Sequence, residues 1–178
     1  KRAEASIEYL ASYDALTALP NRNLFQSRLK RAMRSLRQGG DVFAIHSIDL
    51  DRFKNVNDAL GHVTGDALLV EAARRILALV GPDDLAARFG GDEFVILQGK
   101  IPGTFAAGAL AERLIASLAA PYDINGHRVL VGASVGIAVA SDVMSSSEDL
   151  LRNSDLALYR AKAAGKGRHC FYADEMDA

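Results

Sequence analysis

Three carboxylates in this 178-residue chain fall where elements are expected to end. Asp49 lies at the carboxyl end of a nearly continuous apolar run, Val42 to Leu50, which has the length of a central strand covered on both faces. Its carboxylate would emerge at the sheet edge. Asp92 and Glu93 follow directly on Gly90-Gly91, a pair suited to the positive φ angles of a tight primed turn. If the strands on either side are neighbours of the first, the carboxylates converge. Converging hard oxygens suit Mg²⁺, which takes one or two carboxylates and leaves its other positions to water and substrate phosphates. A turn without Cβ atoms also lets a phosphate-bearing ligand approach the backbone. Acidic pairs after Gly-Gly hairpins are common on surfaces too, so this motif does not decide the matter alone.

The elements that must position these groups follow from periodicity. Lys1 to Ser12 reads as the tail of a polar helix. Phe25, Leu29, Ala32 and Leu36 recur on one face of a second helix, which Gly39-Gly40 stops. A polar stretch after the first strand leads to Thr64, read as the N-cap of a helix carrying Leu69, Ala72, Ile76 and Val80. Ala86 to Phe89 and Glu93 to Leu97 form a hairpin. A helix opens at Thr104 and runs to Pro121. Tyr122 to Ile124 and Arg128 to Ala140 flank Asn125-Gly126, a strong hairpin signal. Ser147 caps a last helix ending near Gly165, and Arg168 to Tyr172 closes the chain as a strand. Helices alternating with strands, with two hairpin connections, predict an α+β fold. Its mixed central sheet would be flanked by helices in the ferredoxin-like class, not a doubly wound parallel sheet.

Bulk properties narrow the class. The chain is 49% hydrophobic, enough for one domain with a real core, and 21 basic residues nearly balance 22 acidic ones. That balance argues against nucleic acid as a partner. Cys170 is the only cysteine, which points to a reducing compartment. No apolar run approaches the ~20 residues of a membrane span, so a cytoplasmic domain without membrane contact is expected, whose parent protein can be anchored elsewhere.

The string Arg88-Phe89-Gly90-Gly91-Asp92-Glu93-Phe94 contains the GGDEF signature, and it does not stand alone. Asp14-Ala15-Leu16-Thr17-Ala18-Leu19-Pro20-Asn21-Arg22 resembles the D-x-L-T-G-L-x-N-R motif of the GGDEF family. Asp49-Leu50-Asp51-Arg52-Phe53-Lys54-Asn55-Val56-Asn57-Asp58 resembles its D-x-D-x-F-K-x-x-N-D motif, continued by Gly61-His62 and Gly65-Asp66. Ser134 to Ile137 and Ala161 to Lys166 match later motifs, in family order. The chain thus resembles a diguanylate cyclase domain, with a linker or signalling helix at 1–12, the domain at 13–172 and the start of a C-terminal linker at 173–178.

The resemblance implies a bacterial signalling enzyme that joins two GTP molecules into cyclic di-GMP. Asp49, Asp92 and the Leu50 carbonyl would hold Mg²⁺, with Mn²⁺ as a substitute. Glu93 would act beside them, in metal binding or in activating the 3′-hydroxyl. Asn57 and Asp66 would read guanine, because a carboxylate accepts from N1–H and the exocyclic amine together, which adenine cannot offer. The amides of Phe53 and Lys54, the Gly91 turn, Lys162 and Lys166 would hold the nucleotide's phosphates. Without the resemblance, Lys162 and Lys166 read more simply as cations complementing a helix C-terminus. Two domains would meet across a two-fold axis, under an upstream sensor domain and beside a downstream EAL phosphodiesterase domain, whose join the tail from Phe171 to Ala178 resembles.

Departures from the pattern carry information. Ala18 stands in place of a glycine, and Lys166 where many members carry arginine, which loses a bidentate fork. The R-x-x-D product-binding motif reads Gly81-Pro82-Asp83-Asp84, so product inhibition through it is expected to be weak or absent. His46 is expected to be a satisfied core histidine, His62 a loop residue and Cys170 a small strand residue. The competing readings are a GTP-binding regulatory module, another nucleotidyl cyclase or polymerase-palm enzyme, and a purely structural domain.

Overall fold

A computed structural model describes residues 9–140 and 146–173 of the chain. Tyr9 to Ser12 are helical. The rest of the expected N-terminal helix (1–8) and residues 174–178 of the expected linker lie outside the described residues.

The first complete helix, α1 (Arg22–Arg37), begins where the Asn21 side chain accepts from the Leu24 amide at 3.1 Å, an N-cap that sequence periodicity alone had not located. It buries Phe25, Leu29, Met33 and Leu36, and the chain turns away through Gly39 at φ +83°. The rest of the order is β1 (Phe43–Asp51), α2 (Phe53–Leu60), α3 (His62–Leu77), β2 (Leu85–Gly90), β3 (Glu93–Gln98), α4 (Thr104–Ala119), β4 (Tyr122–Ile124), β5 (His127–Val129), β6 (Gly132–Ala140), α5 (Ser147–Ala163) and β7 (His169–Phe171).

The main sheet has strand order β2-β3-β1-β6-β7, antiparallel throughout except for the β6–β7 pair. This is the mixed sheet expected. Alternation along β1 divides the core in two. Ala44 and Ile48 face α3 and α4, and Phe43 and Ile45 face α1 and α5. The α5 helix lies directly on the β6 backbone at Gly136, where an added Cβ would come within 2.1 Å of the Leu158 amide nitrogen and 2.2 Å of the Ser154 carbonyl oxygen. That glycine sets the height of the helix carrying Lys162.

Several boundaries differ from the sequence reading. The polar stretch after β1 contains a helix of its own, α2, short and amphipathic, with Phe53 and Val56 as its buried residues. Thr64 is not an N-cap: α3 starts at His62 behind Gly61, Thr64 is buried in its first turn, and Val80 lies beyond its end. His62 is accordingly helical instead of loop. Arg128 to Ala140 is two strands, because the chain leaves the small β4–β5 hairpin at Leu130-Val131 and re-enters the main sheet as β6. The cap of α5 is Ser146, whose hydroxyl accepts from the Asp149 amide at 3.1 Å, with Ser147 as the first helical residue. In the β2–β3 hairpin Gly90 pairs with Glu93, so the turn residues are Gly91 and Asp92. Gly90 and Gly91 do take positive φ, +133° and +50°. Among the described residues no helix is long and apolar enough to cross a membrane.

Candidate active site

The functional end of the sheet is the carboxyl end of β1, and its register is specific. Asp49 is paired directly with Glu93 on β3 and with Ser134 on β6. Directly opposed residues of an antiparallel pair share a face, with Cβ atoms about 5 Å apart, so Asp49 and Glu93 project together, and Asp92 joins them from the turn. The convergence inferred from spacing is present for Asp49 and Asp92, whose carboxyls interact, while Glu93 shares their side of the sheet by register and is exposed.

The electrostatics of this corner are unusual. One Asp49 oxygen, Oδ2, accepts from the Lys162 ammonium, while Oδ1 is buried with no hydrogen-bond partner among the described residues. The Asp92 carboxyl is pushed up to about 7, first by burial and then by the Asp49 carboxylate beside it, against the opposing pull of Lys162. A buried carboxylate oxygen that no N–H or hydroxyl reaches, beside a second carboxyl raised by burial and by its neighbour's charge, is what remains when a cation site is built from two acids. No cluster of three or more His, Cys, Asp or Glu gathers at metal distance among the described residues. Two carboxylates suit Mg²⁺, which keeps positions for water and phosphate, and do not make a closed zinc cage. The group therefore fits the residues present. Leu50, the next residue in β1, is buried.

Around this corner the remaining candidates fall into two groups. Phe53 and Lys54 are the first residues of α2, where backbone amides lack intrahelical acceptors. Phe53 is buried and the Lys54 side chain is exposed. Lys162 is in the last turn of α5. Lys166 follows a Schellman ending, in which its amide donates to the Ala161 carbonyl at 3.2 Å and that of Gly165 to Lys162, also at 3.2 Å. The other group lies at the α2–α3 corner. Asn57 Oδ1 is buried with no hydrogen-bond partner among the described residues, and an added Cβ at Gly65 would stand 1.8 Å from it. Gly65 thus makes the room for the Asn57 amide, and the exposed Asp66 follows it.

Two positioning networks were not assigned from sequence. Asp51, only 6% exposed, accepts from the Ser134 hydroxyl (2.7 Å) and the Gly167 amide (3.0 Å), fixing the loop of Lys166 to the end of β1. Asp14 accepts from the Thr17 amide and hydroxyl and from Arg88 Nη1, while Arg88 Nε donates to the Gly91 carbonyl at 3.0 Å. An Asp with Thr three residues on signals a self-capped turn, but nothing local says that its partner lies 74 residues away. His46 is buried as expected, with Nε2 2.8 Å from Gln98 Oε1. Because the Gln98 amide nitrogen is committed to the Ala106 carbonyl, Nε2 is the donor, and Nδ1 has no partner among the described residues.

The family model described as "Diguanylate cyclase, GGDEF domain" matches residues 11–168, and the chain belongs to that family. It is 46% identical to an uncharacterized signaling protein of Caulobacter vibrioides over 99% of this chain and 22% of that protein. It is 43% identical to the bifunctional diguanylate cyclase/cyclic di-GMP phosphodiesterase MucR of Pseudomonas aeruginosa over 99% of this chain and 26% of MucR. The chain therefore spans about a quarter of these relatives. Among solved structures, the GGDEF domain of TpbB (YfiN) from Pseudomonas aeruginosa superposes with a TM-score of 0.89 at 37% identity, covering 93% of this chain and 96% of that one. The expected fold is thereby shown.

Proposed function

We propose that this chain is a working diguanylate cyclase domain that condenses two GTP molecules into cyclic di-GMP, releasing pyrophosphate. The observation that carries the reading is the pairing of Asp49, with its unpartnered buried oxygen, against an Asp92 carboxyl raised to about 7. Asp49, Asp92 and the Leu50 carbonyl hold Mg²⁺, which when bound neutralises charge on the phosphoryl oxygens and eases ionisation of the attacking hydroxyl. The 3′-oxygen of one GTP forms a bond to the α-phosphorus of the other, the bond from that phosphorus to the pyrophosphate oxygen breaks, and the hydroxyl proton leaves by way of Glu93. A second such step closes the ring.

Asn57 and Asp66 orient guanine, and the Phe53 and Lys54 amides, the Gly91 turn, Lys162 and Lys166 hold phosphates. Each domain carries one nucleotide, so two face each other across a two-fold axis. Residues 13–172 form the module, fed by the segment at 1–12 and leading into a linker from 173. Product inhibition through the Gly81–Asp84 turn is weak: Asp84 accepts from the Gly81 amide at 2.8 Å and the Gly99 amide at 3.0 Å, and no guanidinium stands at position 81.

Relatives named only as cyclic di-GMP phosphodiesterases, such as PdeR of Escherichia coli, 37% identical over 99% of this chain and 26% of PdeR, support a second reading: a GTP-binding module regulating a neighbouring phosphodiesterase. The test is to fuse the chain to a dimerising coiled coil and incubate it with Mg²⁺ and either GTP or ATP. Cyclic di-GMP from GTP alone supports the cyclase; GTP binding without product favours the regulatory module.

A further inference from the structure

Beyond Asp51 the end of β1 opens, on its β6 side, into a cleft of about 290 Å³ lined by Arg52 and Lys166 together with Leu130, Gly132 and Gly167. Two features set it apart from an ordinary surface groove. Neither the Arg52 guanidinium nor the Lys166 ammonium has a hydrogen-bond or ion-pair partner among the described residues. The one acid in the lining, Asp51, is turned inward onto the Ser134 hydroxyl and the Gly167 amide, so it does not neutralise them. Both cations also sit on left-handed backbone, Arg52 at φ +64° and Lys166 at φ +65°, a conformation that residues bearing a Cβ rarely adopt. The surrounding bonds hold them there: the Asp51–Gly167 bond on one side and the Schellman ending of α5 on the other.

The cleft continues a line of groups. Asp92 and Asp49 stand at one end, Lys162 reaches Asp49 from the last turn of α5, and Arg52 immediately precedes the free amides of α2. A nucleotide whose α-phosphate lies at the paired carboxylates extends its remaining phosphates along this line. An ammonium offers a point charge to a phosphate, whereas a guanidinium offers a planar fork of parallel donors.

We propose that Arg52 clamps the terminal phosphate of the bound nucleotide across the cleft from Lys166, so that this domain selects a nucleoside triphosphate over a diphosphate through a residue outside the metal and guanine sites. The inference rests on the nucleotide reading given above.

The test uses 3′-deoxy-GTP and 3′-deoxy-GDP with Mg²⁺, which lack the attacking hydroxyl, so calorimetry reads binding without turnover. Arg52→Ala is expected to weaken the triphosphate about tenfold and the diphosphate by less than about twofold, the loss of one charge-assisted contact. Arg52→Asn, which tolerates left-handed backbone, should show the same split, assigning it to the guanidinium and not to the turn. Arg52→Lys should fall between. Equal weakening of both nucleotides, or none, overturns the clamp while leaving the cyclase reading intact. A wild-type chain that binds neither nucleotide overturns both.

Discussion

Arg88 joins the Asp14 carboxylate to the Gly91 carbonyl, tying the turn after the N-terminal helical residues to the turn that presents Asp92. Its Nη1 lies 2.8 Å and 3.0 Å from the two Asp14 oxygens, and both side chains are largely buried, at 12% and 16% exposure. Burial alone would raise the Asp14 pKa. The Thr17 hydroxyl and amide, with Arg88, outweigh it and hold the carboxyl below its ordinary value. A buried pair of this kind is costly to break from one side, because the remaining charge is stranded. Asp14→Ala should therefore cost about 3 kcal/mol in urea unfolding, and Asp14→Ala with Arg88→Met should cost less than Asp14→Ala alone. Because the folded pKa of Asp14 is depressed, its contribution is present above the unfolded value of 3.8 and is lost as pH falls through the lower folded value. Additive effects of the two substitutions would show that the link carries no coupling.

Gly65 gives the Asn57 amide its space, and an alanine Cβ there would fall within 1.8 Å of Asn57 Oδ1. Gly65→Ala should lower GTP affinity about tenfold, by loss of an oriented hydrogen bond to the base, while ATP affinity, which does not draw on that hydrogen bond, changes little. Direct binding measurements with both nucleotides check this; an unchanged GTP to ATP ratio would remove Asn57 from base recognition.

Asp92 is raised to about 7 from an ordinary 3.8. Between those values the folded, metal-free protein holds a proton that the unfolded chain has lost. This stabilisation is therefore full below 3.8 and disappears as pH rises through 7. Mg²⁺ binding must displace the proton below that point. Its affinity should rise about tenfold per pH unit toward 7 and flatten above it, with calorimetric proton release at pH 6 and little at pH 8. Equal affinities at pH 6 and pH 8 would mean that Asp92 does not bind the ion.

His46 is buried and its pKa is lowered to about 4, chiefly by burial. A depressed histidine is stabilising in its neutral form, so stability should be full above 6.5 and fall with acidification, by ~3 kcal/mol in all by pH 4. His46→Gln should flatten the pH dependence of the urea midpoint between pH 4 and 6.5. A slope unchanged by that substitution would place the titration elsewhere.

Ala18 occupies φ +62°, the conformation that the family's usual glycine adopts freely. The fold keeps the turn, with the Ala18 amide donating to the Asp14 carbonyl at 2.9 Å. Ala18→Gly should nonetheless stabilise the domain by about 0.5–1 kcal/mol, as relief of left-handed strain exceeds the added chain entropy. Thermal unfolding measures it, and a lowered Tm would contradict it.

The strands were legible where one period dominated: Val42 to Leu50 differs from β1 by one residue at each end, and the Asp49 and Asp92 carboxyls do meet, with Glu93 opposite Asp49 in the register. What escaped was set by distant partners. The α2 helix is only eight residues long and gains its stability from burying Phe53 and Val56 under α3, which no local signal announces. The break at Leu130-Val131 arises because two sheets compete for one apolar run. Asp51 and Asp14 were visible as motif letters, but their partners Gly167 and Arg88 are 116 and 74 residues away. Gly65 shows its purpose only once the Asn57 amide is seen beside it.

The most direct test of the account compares the wild-type chain with Asp49→Asn and Asp92→Ala, each fused to the same dimerising coiled coil, at saturating GTP and Mg²⁺ with chromatographic detection of cyclic di-GMP. The account predicts product from the wild type and a loss of at least about a hundredfold in each variant, with guanine binding through Asn57 and Asp66 still measurable. Product formed at the wild-type rate by Asp92→Ala would contradict it.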